Sequence, residues 1–138
     1  MGRDEVIVVD THVAIWITAG SPSLGKQSRA ALELAFKEDR VAVSAITFWE
    51  MAMLIEKQRL GVISSAAELR TKILGAQIEE VPVDGNIAIL AAGLEHLHGD
   101  PADRLIVATA LAHDAMLMTA DRAILRWRNK LQRLNAAK

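Results

Sequence analysis

Val6-Ile7-Val8-Val9-Asp10-Thr11-His12 decides how the chain is read. Four aliphatic residues run together without polar alternation, as in a strand covered on both faces. The run then stops at an acid. The same grammar returns in Met116-Leu117-Met118-Thr119-Ala120-Asp121, where an apolar run again ends in a hydroxyl and an acid. Val41-Ala42-Val43 and residues 79–83 are two more short β-rich runs. A fifth short strand is expected over residues 131–134.

Helical patterns fill the intervals. They are expected over residues 11–18, 24–37, about 44–60, 65–75, 84–98, 100–114 and 121–130. Ser44, Ser65, Asp84, Asp100 and Asp121 stand where caps belong, and Pro101 suits a first helical position. Gly61, Gly75 and Gly99 mark helix ends. Strands alternating with helices imply an α/β fold, with a central parallel sheet of four to five short strands between helical layers. Ligand sites in such sheets lie at the carboxyl ends of the strands.

The bulk numbers narrow the classes. The 138 residues suit one domain spanning residues 1–138. Hydrophobic residues make up 51% and charged residues 24%, a globular balance. There is no cysteine, which excludes disulfides, thiolate zinc sites and a cysteine nucleophile. A cytoplasmic location is expected: no run approaches the ~20 apolar residues of a membrane span, and Met1-Gly2-Arg3-Asp4-Glu5 does not open a signal peptide. Net charge is −1, yet residues 122–138 carry six basic residues and no acid, which leaves −7 on residues 1–121. An acidic body with a basic tail suits a cation site beside a phosphate-binding rim, although a solvated basic terminal segment has the same composition.

Four acids stand out: Asp10, Glu50, Asp103 and Asp121. Each has an ordinary reading. Asp10 and Asp121 could cap the helices they precede. Asp103, three residues after the cap Asp100, could favour a helix dipole. Glu50 shares a helical face with Ile46, Met53 and Leu54, where an ionised carboxylate needs a partner or a shifted pKa. A gathering of all four at one sheet edge explains them together. Carboxylates at 4 Å repel by roughly 4 kcal/mol per pair at an effective dielectric of about 20. Such a cluster calls for a hard divalent cation.

These segments resemble one family, the PIN-domain ribonucleases, and within it the VapC-like toxins of type II toxin–antitoxin pairs. The resemblance rests on Val9-Asp10-Thr11-His12, on Val43-Ser44-Ala45-Ile46-Thr47-Phe48-Trp49-Glu50, on Asp100-Pro101-Ala102-Asp103-Arg104-Leu105-Ile106-Val107-Ala108-Thr109-Ala110 and on Met118-Thr119-Ala120-Asp121. It runs from about residue 6 to residue 125. It implies a PIN-like three-layer α/β/α fold and hydrolysis of RNA phosphodiesters with Mg²⁺ or Mn²⁺. By the same resemblance Asp10, Glu50, Asp103 and Asp121 are the catalytic and metal-binding acids. Asp10 and Asp103 are expected to touch metal directly, and Glu50 and Asp121 directly or through water. Thr119 is the hydroxyl beside the last acid; Thr11 and Ser44 are supporting polar positions. A cognate antitoxin and a homodimer through the early helices are the partners it implies. Arg104, Arg122 and Arg126 are candidates to hold RNA phosphates.

Other classes fit less well. Gly20-Ser21-Pro22-Ser23-Leu24-Gly25-Lys26-Gln27 nearly spells a P-loop, but Gln27 replaces the magnesium-binding hydroxyl and no strand precedes it. An aspartate-nucleophile phosphatase would want an acid where His12 stands, and a receiver domain would want an acid pair and a late lysine. His96 and His98 at helical spacing point to different faces, which suits the end of a helix better than zinc. His12 and His113 read as ordinary packed or surface residues, and Trp16, Trp49 and Trp127 as packing residues rather than base-stacking platforms, with stacking left open for Trp127 in its basic setting. The alternatives kept are a non-catalytic acidic binding module and a metal-dependent nuclease outside toxin–antitoxin systems.

Overall fold

The computed structural model describes residues 5–58 and 64–138. Five strands form one parallel sheet: β1 (Ile7–Val9), β2 (Val41–Ser44), β3 (Glu79–Val81), β4 (Met116–Thr119) and β5 (Arg133–Asn135). The spatial order is β3-β2-β1-β4-β5. Val9 is in register with Val43 on one side and with Met118 on the other. The chain builds outward from β1 to β3, then crosses back to place β4 against the free side of β1. The sheet therefore reverses its winding between β1 and β4, and the crevice beyond their carboxyl ends is the natural place for a site.

Seven helices accompany the strands among the described residues: α1 (Thr11–Ala19), α2 (Lys26–Lys37), α3 (Ile46–Glu56), α4 (Ala66–Gly75), α5 (Gly85–Ala92), α6 (Pro101–Ala112) and α7 (Arg122–Arg126). Side chains alternate through the sheet, so neighbours in sequence serve opposite cores. Ile7, Val9, Val41, Val43 and Met118 join Val13, Leu32, Met51 and Ile73 beneath α1 to α4. Val8, Ala42 and Leu117 join Ile106, Val107, Ala110 and Ile124 beneath α6 and α7. Ile87 and Ala91 of α5 pack on Ala108 of α6. This is the expected helix–sheet–helix sandwich.

Several boundaries move for physical reasons. The third strand stops at Val81 because Pro82 has no N–H for a ladder. The last expected helix closes at Arg126, four residues early. Arg133 caps it, donating to the carbonyls of Ile124 and Trp127. The helix expected to reach Leu60 is described as far as Glu56; Leu60 and Gly61 lie outside the described residues. Ser44 is the last residue of β2 and its hydroxyl accepts from the Ile46 N–H at 3.3 Å. Trp127 is buried, 5% exposed, and its indole N–H donates to the Glu95 carbonyl, so it packs and stacks on nothing outside.

The largest departure is α5, which ends at Ala92 rather than at His98. Arg104 explains it. Its guanidinium donates to the carbonyls of Ala91, Ala92, Leu94, Leu97 and His98. An extended helix would have kept most of those carbonyls for itself; here one planar fork with five donors gathers them. Arg104 is therefore committed to the fold and is no phosphate ligand. Arg104→Ala should leave these carbonyls unpaired and destabilise by about 3–5 kcal/mol, seen as a melting temperature lower by roughly 10 °C. Arg104→Lys should recover little of it, since a point charge cannot reproduce the fork; a lysine variant melting with the parent would refute this account.

The P-loop-like stretch has another employment. The Gly25 N–H donates to Ala136 and the Gln27 N–H to Lys138. A Cβ on Gly25 would come within 2.2 Å of the Lys138 backbone. Chain, not phosphate, occupies that helix start.

Candidate active site

β1 ends directly into Asp10, whose Oδ1 accepts the Val13 N–H at 2.9 Å and so caps α1. Its Oδ2 accepts from the Thr119 hydroxyl at 2.6 Å. Thr119 is the last residue of β4, the strand beside β1, so the bond closes the switch point. Thr119 Oγ1 in turn accepts the Asp121 N–H at 3.0 Å, and Asp121 Oδ1 caps α7 through the Ile124 N–H. The structural and functional readings of these acids are thus compatible: one oxygen caps and the other keeps lone pairs for the cleft.

Glu50 reaches the same place from α3, one helix away. The Thr11 hydroxyl donates to its Oε1, and Thr11 lies 3.4 Å from the buried Thr47 hydroxyl. Asp103 projects from the first turn of α6, where the Asp100 carboxylate caps its N–H at 3.1 Å. Asp10, Glu50, Asp103 and Asp121 line one cleft of about 440 Å³, together with His12, Trp16, Leu54, Asp100 and Ala120. Oxygens of Glu50, Asp100 and Asp103 lie within 4.8 Å of one another. Ser44 stays outside this lining, buried 3.4 Å from the Thr109 hydroxyl.

The electrostatics follow from this crowding. Burial pushes the Asp10 carboxyl above its ordinary range, against the lowering effect of the Thr119 and Val13 bonds. Glu50 is also raised, first by burial, with Thr11 opposing. Asp103 is raised to about 7 by burial, then by the neighbouring charges of Asp100, Glu50, Asp121 and Asp10. Among the described residues no lysine or arginine forms an ion pair with these acids; the basic side chains near them are two histidines, His98 beside Asp103 and Asp121 and His12 in the cleft lining. Five carboxylates without a cation are electrostatically incomplete.

Three participants escaped the sequence reading. Asp100 was expected to be a cap alone, and its carboxylate also belongs to the acid group. His98 was expected at a helix end and instead sits in the loop before α6, facing Asp103 and Asp121. His12, expected to be an ordinary residue, lines the cleft. The Asp100 signal was available, because a cap uses one carboxylate oxygen of two.

Comparison with known proteins gives this geometry its context. The PIN domain family model matches residues 7–130. Ribonuclease VapC22 of Mycobacterium tuberculosis (strain ATCC 25618 / H37Rv) is 34% identical over 119 residues, covering 86% of this chain and 88% of that protein. VapBC2 from Rickettsia felis, solved bound to a DNA fragment from its promoter, has a TM-score of 0.69 at 19% identity, covering 94% of this chain and 98% of that one. FitAcB from Neisseria gonorrhoeae has a TM-score of 0.60 at 23% identity, covering 95% and 98%. The two solved structures share the fold, and the family model spans the strands and helices that carry all four acids. The chain belongs to the PIN-domain family, among its VapC-like members.

Proposed function

We propose that this chain is a divalent-cation-dependent endoribonuclease and the toxin of a toxin–antitoxin pair. The observation that carries the reading is the convergence of Asp10, Glu50, Asp103 and Asp121 on one cleft with no lysine or arginine paired to them among the described residues. The donor set suits Mg²⁺ or Mn²⁺: oxygen ligands, carboxylate-rich, and open enough for water and a phosphate. Asp10 and Asp103 are the direct ligands in this proposal, and Glu50 and Asp121 complete the site directly or through water. Bound there, the cation would supply Lewis acidity to the phosphoryl group and to water.

The chain's own residues prepare the rest. Thr119 fixes the Asp10 carboxylate, so that its remaining lone pairs face the cleft in one orientation. Thr11 does the same for Glu50; in this proposal Glu50 orients an attacking water or receives its proton. Asp121 Oδ1 is spent on α7, leaving Oδ2 toward the cleft. Arg122 and Arg126 are exposed on α7 immediately after Asp121 and would hold RNA phosphates at the rim.

The ribonuclease name of the M. tuberculosis relative favours RNA as substrate. The structural neighbours include toxin–antitoxin complexes, which favours a small antitoxin as partner. A homodimer is proposed on the resemblance. No helix among the described residues is long and apolar enough to cross a membrane; the proposed place of action is the cytoplasm.

The test is cleavage of structured RNAs and of matched DNA by purified protein with Mg²⁺ or Mn²⁺, then with EDTA. Cleavage of RNA that stops with EDTA and returns with added cation is the expected result. Cleavage indifferent to EDTA, or unaltered in Asp103→Asn, would remove the reading.

A further inference from the structure

His98 is held from two sides. Its backbone carbonyl accepts from Arg104 at 3.3 Å, and its ring Nδ1 accepts the Asp100 N–H at 3.3 Å. Its Nε2 lies 3.5 Å from Asp103 Oδ2 and 3.8 Å from Asp121 Oδ2. That nitrogen is buried and has no hydrogen-bond partner among the described residues. His98, Asp103 and Asp121 also present ligand atoms within 4.8 Å of one another, so a nitrogen–oxygen metal set is one reading of the trio.

The ring's other nitrogen chooses between the readings. A neutral imidazole has one donor and one acceptor nitrogen. The Asp100 N–H occupies the Nδ1 lone pair, so the ring proton resides on Nε2. A protonated Nε2 has no lone pair for a cation. It is instead an unspent donor pointed at two carboxylates.

We propose that His98 is a positioning residue of the acidic cleft, whose Nε2–H is a fixed donor to the outer oxygens of Asp103 and Asp121 and whose nitrogen stays out of the cation's ligand set. The inference rests on the cation site of the proposed function and adds a residue to it. Its physical content is an arrangement seen elsewhere as ligand support: a carboxylate steadied by a second hydrogen bond offers its remaining oxygen in one direction. Asp103 comes from α6 and Asp121 from the β4–α7 junction, so one imidazole faces acids from two elements and can donate to either. The Arg104 fork fixes the loop that makes this possible. The ion preference that results is that of an all-oxygen site, for Mg²⁺ and Mn²⁺ over zinc.

Two readouts test it, neither of them activity. Long-range ¹H–¹⁵N correlation on the whole chain reads the His98 tautomer without metal and with Mg²⁺. The Nε2–H form in both states is expected. Calorimetric titration then compares Mg²⁺ binding by the parent, His98→Ala and His98→Gln. Alanine should weaken binding by roughly 10-fold. Glutamine, whose amide nitrogen reaches the Nε2 position with protons of its own, should restore most of the loss. An Nδ1–H tautomer overturns the assignment, as does an Nε2 that loses its proton on Mg²⁺ addition. Equal binding by the alanine variant and the parent also overturns it, and so does failure of glutamine to rescue. A parent that takes up no Mg²⁺ overturns the proposed function itself; the metal-free tautomer is read independently and bears on His98 alone.

Discussion

Asp10→Asn should cut RNA at least roughly 10³-fold more slowly than the parent, a loss of about 4 kcal/mol of transition-state stabilisation. It should nevertheless remain folded and, without metal, melt no lower. The reason lies in what the asparagine keeps. Its amide oxygen can still accept the Val13 N–H and cap α1, and its NH₂ can donate to the Thr119 hydroxyl, which rotates to accept. What disappears is a charge in a site only 8% exposed. That charge has no lysine or arginine partner among the described residues and is disfavoured by burial. Function and stability therefore move apart at this residue. The check is a cleavage assay with Mg²⁺ beside thermal unfolding in EDTA. An Asp10→Asn protein that cleaves like the parent would end the argument for Asp10, and one that is unfolded would show that its charge is structural.

Asp10 and Asp121 were legible because a strand, an acid and a helix follow one another directly in the sequence. Local chemistry places both at strand ends, and strand pairing does the rest. Glu50 was legible by contradiction, as an acid on an apolar face. The loop between α5 and α6 was not legible. Residues 93–98 carry no strong breaker beyond Gly93, and local propensity extends the helix through them. The competing force is Arg104, whose donors arrive from another helix and draw off the carbonyls that such an extension needs. Sequence periodicity contains no trace of that event. His98 and Asp100 were missed with it, since their place in the cleft follows from the loop. Trp127 was legible as a packing residue, and the structure buries it; only its partner was not, since the Glu95 carbonyl that receives its N–H is a product of the same loop.

Metal-free stability should fall as pH rises from about 4 to about 7.5 and then level off. Asp103 titrates near 7 in the folded chain, raised by burial and by its acidic neighbours from an ordinary value of 3.8. Between those two values the folded chain keeps a proton that the unfolded chain has released. Stability then declines with pH, because the native state binds more protons. Asp10 and Glu50 are raised as well and act with the same sign. A three-unit difference corresponds to about 4 kcal/mol. The Asp103 side chain is 20% exposed, and water at the mouth reduces the figure to roughly 2 kcal/mol. About three-fifths of that falls between pH 5 and pH 8, so in EDTA the parent should melt roughly 3–5 °C lower at pH 8 than at pH 5. Asp103→Asn should flatten most of this slope, since an amide has no proton to lose. Saturating Mg²⁺ should raise the parent's melting temperature most at pH 8, where the carboxylates are ionised and binding at 100 times the dissociation constant adds about 2.7 kcal/mol. Added cation and protonation are alternative answers to one repulsion, so each should weaken the effect of the other. A melting temperature in EDTA that rises from pH 5 to pH 8 would mean that the acids are paired to positive charge in the folded protein. The cleft would then have no electrostatic need for a cation.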